Sequence, residues 1–155
     1  MKLGEALAPR AELQSRVGQV RDRLRLSALV QEGDAPPEDP APLLAELDEV
    51  AEELQHLIAN INRTNAATRL PSGATLTDAL ARRDVLGLHH SALKTVADAT
   101  AQQQARYSRS EIRLARTFNV SEVRKHVDSL ARGQRELDVE VQAANWTVDL
   151  VENHE

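Results

Sequence analysis

Positions 123, 127, 130, 134, 137, 141, 144, 148 and 151 step by four and three without a break, and all but Gln134 carry Val, Leu or Ala. Such spacing holds one narrow apolar stripe in line along an α-helix, whereas a strand would alternate every second residue. A stripe this long must be covered by a matching one, so the chain has to supply further long helices.

Two matching stripes are present. Leu3, Ala6, Arg10, Leu13, Val17, Val20, Leu24 and Ser27 repeat the same steps, and so do Leu43, Leu47, Val50, Leu54, Leu57 and Ile61. Between them "GDAPPEDPAPLL" has four prolines within seven residues, which ends one helix, and its Asp39-Pro40 pair suits the N-cap and first position of the next. Pro9 removes an amide near the start of the first helix and should kink it or delay its beginning. A third helix starts after Thr75, which makes with Asp78 a short-acid variant of the capping box. Leu80, Leu86, Leu93 and Val96 form its apolar face, with Arg83 and a half-buried His90 close to the same stripe.

The expected helices span about 3–31, 40–65, 76–107 and 121–151, the last capped by Ser121. "EIRLARTF" has a period of two, which predicts a short strand or hairpin element over about 111–118. The fold class that follows is mainly all-α, one domain over residues 1–155, with long antiparallel helices in a coiled-coil-like bundle. A lone strand must pair elsewhere, and a second subunit is the natural partner, so a homo-oligomer is expected.

Composition supports this core and narrows the chemistry. Tyr107, Phe118 and Trp146 are the only aromatic residues, so Leu, Val, Ile and Ala must fill the interior. There is no cysteine for a disulfide, a thiolate metal site or a nucleophile. No apolar run approaches a membrane span, and Glu5 interrupts the stretch a signal peptide would need, so a cytoplasmic protein without membrane contact is expected. The net charge of −5 makes nucleic acid an unfavoured partner for the molecule as a whole. Charge is nevertheless segregated: residues 33–62 hold eight acidic residues and no Lys or Arg.

Residues 62–84 form a dense polar insert. If successive helices alternate in direction, Asn62, Thr64, Asn65 and Arg69 approach Thr75, Thr77, Asp78, Arg82, Arg83 and Asp84 at one end, with Asn145 and Trp146 arriving from the fourth helix. Two readings stay open: a ligand or partner surface, or simple capping, with the asparagines ending one helix and the threonines beginning the next. Arg106, Tyr107, Arg109 and Arg113 offer an alternative basic patch for a phosphorylated ligand or nucleic acid, shared with Arg69, Arg82 and Arg83.

The stretches "INRTNAATRLPSGATLTDALARRDVL", "RYSRSEI" and "QAANWTVDL" resemble a bacterial family of uncharacterised small helical proteins, some of them labelled septicolysin. The resemblance implies a helical fold of uncharacterised function, and the label implies a cytolytic or pore-forming toxin.

No catalytic residues are assigned. Glu53 and His56 have the Glu-x-x-His spacing of carboxylate-bridged metal bundles, but such a site needs a second pair, and Glu122 with His126 is spaced by four. "PSGATLTDAL" lacks the Gly and Lys of a phosphate loop. The expectation is therefore a non-enzymatic scaffold or interaction protein without metal or cofactor.

Overall fold

The computed structural model describes residues 1–106 and 115–152. Four helices account for most of them: α1 (Leu3–Ser27), α2 (Pro40–Ala67), α3 (Leu76–Arg106) and α4 (Val120–Thr147). The chain divides into two compact units, one of residues 1–69 with the chain from Ala143 on, the other Leu70–Gln142.

In the first unit α1 and α2 run antiparallel, as their ion pairs show. Arg23, late in α1, meets Glu38 just ahead of α2 at 2.5 Å, and both Arg23 and Arg16 reach Glu46 at 3.1 Å. The expected stripes turn inward: Leu3, Ala6, Leu13, Val20 and Ser27 of α1 are buried, as are Leu43, Val50 and Ile61 of α2. Full burial of each such aliphatic side chain contributes about 1.5–3 kcal/mol. Asp39 caps α2 by accepting from the Ala41 amide at 3.0 Å, with Pro40 in the position where a missing N–H costs nothing. Pro9 neither ends α1 nor delays its start, since the helix already begins at Leu3.

The ends of the chain close this unit. Lys2 and Asp149 form an isolated antiparallel bridge, with Leu3 N donating to Val148 O and Leu150 N donating to Met1 O, both at 2.9 Å. Gly4 lies so close to Asn145 that an added Cβ would sit 3.0 Å from its carbonyl oxygen. The pairing explains why α4 stops at Thr147 rather than near residue 151: the chain turns to meet Lys2. Leu150 is thereby buried, and Val151, expected on the stripe, is exposed.

In the second unit α3 and α4 are antiparallel. Arg83 faces Asp138 at 3.9 Å, Gly87 lies beside Gln134, and the rings of His89 and His126 meet edge to face at 5.2 Å. Leu76, Ala79 and Ala97 of α3 are buried with Leu137 and Val141 of α4. Ala97 takes the inward place expected of Val96, which is exposed. A turn leads into α3, closed by Leu70 N to Ala74 O at 2.9 Å, and Gly73 adopts φ of 87°, a conformation costly for any residue with a Cβ.

Two further expectations are corrected. Among the described residues no strand forms: residues 115–118 are irregular, and residues 111–114 of the expected strand lie outside the described chain. The alternation there reaches Asn119, whose side chain begins a helix instead. Asn119, not Ser121, caps α4, its Oδ1 accepting from the amides of Ser121 at 3.0 Å and Glu122 at 3.3 Å.

Candidate functional site

The polar residues of the insert fall in both units. In the first, Asn62 and Arg69 are exposed, and Asn65 and Asn145 are half-buried. Trp146 stands 62% exposed on the last turn of α4. Thr64 departs from its expected place on a surface: it is fully buried, its hydroxyl donating to Asn60 O at 2.8 Å and accepting from Val151 N at 2.9 Å. Beside this end Lys2 reaches Asp149 at 2.7 Å and the Thr147 carbonyl at 3.1 Å. The Lys2 ammonium holds the Asp149 carboxyl below its usual range, chiefly through this hydrogen bond.

In the second unit Thr75 and Asp78 form the expected box: the Asp78 amide donates to Thr75 Oγ1 at 3.1 Å, and that hydroxyl donates to the Asp78 carboxylate at 2.7 Å. Those two groups are thus committed to starting α3. Arg83 is half-buried between Asp84 at 3.2 Å and Asp138, so much of its hydrogen-bonding capacity is spent inside the unit. Thr77, Arg82 and Asp84 are exposed. Of the alternative basic patch, Tyr107, Arg109 and Arg113 lie outside the described residues, as does the side chain of Arg106.

Two surface features complete the picture. The outer face of α3 carries Ala81, Val85, Leu88, Ala92, Val96 and Ala99, all exposed and spaced four, three, four, four and three. Val85 is 62% and Leu88 73% exposed, so this helix is apolar on two faces. The irregular chain before α4 and the first turns of α4 line an open groove of about 430 Å³ with Arg116, Val120, Ser121, Arg124, Lys125 and Asp128, together with Thr100 of α3. Sequence reasoning passed over Arg124 and Lys125. A signal was there: residues 106–125 hold six Lys or Arg against two acidic residues, in a chain of net charge −5.

Among the described residues no helix is long and apolar enough to cross a membrane, and no three His, Asp or Glu side chains converge as a metal ion would require. His56 faces Glu52 at 3.9 Å, both on the surface.

No curated protein matches the sequence. A crystal structure of a functionally unknown conserved protein from Corynebacterium diphtheriae is similar over 97% of this chain and 99% of that one, with 42% identity and a TM-score of 0.87. That likeness carries the four-helix architecture across the whole length. Residues 10–150 match a family of unknown function, DUF6847, and the chain belongs to that family.

Proposed function

We propose that the protein is an oligomeric helical scaffold or interaction protein rather than an enzyme, and that a second copy of the chain covers the outer face of α3 in a coiled-coil-like contact. The outer stripe of Ala81, Val85, Leu88, Ala92, Val96 and Ala99 carries this reading. Single exposed apolar residues are ordinary, but a row at helical spacing is the form of surface that another helix buries. Residues 81–99 hold Arg82, Arg83 and Lys94 against Asp84 and Asp98, so two copies meet there with little net repulsion although each chain carries −5. This support replaces the expected strand pairing. Trp146 and the exposed polar residues of the insert would then remain for a further partner, large aromatics being favoured anchors of such surfaces.

Native mass spectrometry of the purified protein tests the reading. A clean multiple of the chain mass is expected, with Leu88→Glu reverting to the single chain while its helical circular dichroism is kept. A wild-type protein that stays monomeric at tens of micromolar would sink the proposal. Leakage of liposomes on addition of the protein would favour the septicolysin-like reading in its place.

A further inference from the structure

We propose that the groove at the start of α4 binds a small oligophosphate, a ligand carrying two or three linked phosphate groups, through Arg116, Arg124 and Lys125. The inference is independent of the α3 contact. Among the described residues three cations and one carboxylate, Asp128, line the groove, a surplus of positive charge within a chain that is acidic as a whole. None of the three has a carboxylate partner among the described residues. Elsewhere Lys2, Arg16, Arg23, Arg83 and Lys94 each have one. Cations gathered without counter-charges repel one another, and an anion set among them relieves that repulsion.

The chemistry of the lining selects the anion. Two guanidinium groups offer paired donors that match phosphate oxygens, Lys125 adds a point charge, and Thr100 and Ser121 also line the groove. The amides at the helix start are not the attraction, because Asn119 already occupies those of Ser121 and Glu122. At about 430 Å³ the groove has the size of a small-molecule site. Among the described residues its only large apolar lining side chain is Val120 and none is aromatic, so these residues give a base little to stack on. Recognition therefore rests on the phosphates and favours a compact polyanion over a nucleic-acid strand.

Isothermal titration of the full chain with inorganic tripolyphosphate, at low and at moderate salt, tests this. One ligand per chain is expected, with affinity falling as salt rises and weakening at least tenfold in Arg124→Gln/Lys125→Gln. Arg116→Gln, in the irregular chain before the helix, should weaken binding without touching α4, which guards against a folding defect in the double variant. Arg132→Gln, on α4 outside the groove, should bind normally, and so should Leu88→Glu, which separates this site from the proposed oligomer contact. Absence of binding at millimolar tripolyphosphate in low salt overturns the proposal, as does binding unchanged in the groove variants. A single-stranded oligonucleotide that binds through the same residues and is not displaced by tripolyphosphate overturns it too, in favour of a nucleic-acid groove.

Discussion

The backbone amide of Val151 donates to the hydroxyl of Thr64 at 2.9 Å, so a side chain buried in α2 holds the segment that follows α4. Thr64→Val keeps the shape and removes the acceptor, leaving the Val151 N–H without this partner. A loss of about 1–3 kcal/mol is expected. Thr64→Ser, which keeps the oxygen, should lose less. Urea unfolding of the three proteins measures both, and equal losses would show that the hydroxyl does not matter.

Gly4 faces the backbone of Asn145 with no room for a branched side chain. Gly4→Val should destabilise the protein by about 1–3 kcal/mol through overpacking against the carbonyl. Gly18→Val, where nothing lies within 4 Å of an added Cβ, should be neutral or slightly stabilising, because valine is a better helix former than glycine. The difference between their thermal midpoints isolates the close approach.

Asp39 and Asn119 begin α2 and α4 in the same way, each side-chain oxygen accepting from amides of the first turn. Asp39→Ala and Asn119→Ala should each cost about 0.5–2 kcal/mol. Ser121→Ala should cost clearly less, because Ser121 is not the cap. Chemical denaturation of the three variants checks the order.

The Arg23 guanidinium holds the Glu38 carboxyl below its ordinary value of 4.5, chiefly by hydrogen bonding, and Asp149 is lowered from 3.8 by Lys2. Carboxyls with depressed folded values stabilise the protein above their unfolded values and lose that contribution as pH falls through the folded ones. Glu38→Gln should therefore lower the thermal midpoint slightly at pH 7, and the gap to wild type should close as the pH is taken below about 4. Both groups are exposed to solvent, so the gap should also shrink with added salt.

Helix positions were legible because burial follows spacing. Leu3, Leu13, Val20, Val50, Ile61, Leu137 and Val141 all sit on the predicted stripes and are all buried. Errors came where tertiary pairing outweighs local pattern. The stripe of α4 continues on paper to Val151, but the chain leaves the helix at Thr147 to join Lys2. On α3 two apolar stripes share one helix, which blurs the periodicity and let Val96 stand for Ala97.

The candidate site was harder to read. Thr64 looks like any polar residue of the insert until Val151 is seen to need it. The cations of the groove lie on either side of a cap, with Arg116 before Asn119 and Arg124 and Lys125 after it, so no motif joins them.

A correspondence between "INRTNAATRL" and "VQAANWTVDL" also escaped the sequence. Only Asn65 with Asn145 and Leu70 with Leu150 are identical at matching positions, yet the two stretches share one order of buried, half-buried and exposed residues. Their hydrogen bonds agree as well: Thr68 N to Thr64 O matches Val148 N to Ala144 O, and Leu70 N to Ala74 O matches Leu150 N to Met1 O.

That last bond has a topological consequence. Leu70 reaches Ala74 across the short turn Pro71-Ser72-Gly73, while Leu150 makes the same bond to Met1 with no covalent link between them. A circularly permuted chain, joined from Val151 to Met1 by a Ser-Gly linker so that the Val151 amide is kept, and cut between Ser72 and Gly73, should regain the helicity of the parent. The order in which the four helices are threaded would then be a matter of where the polypeptide is cut, not a requirement of the architecture.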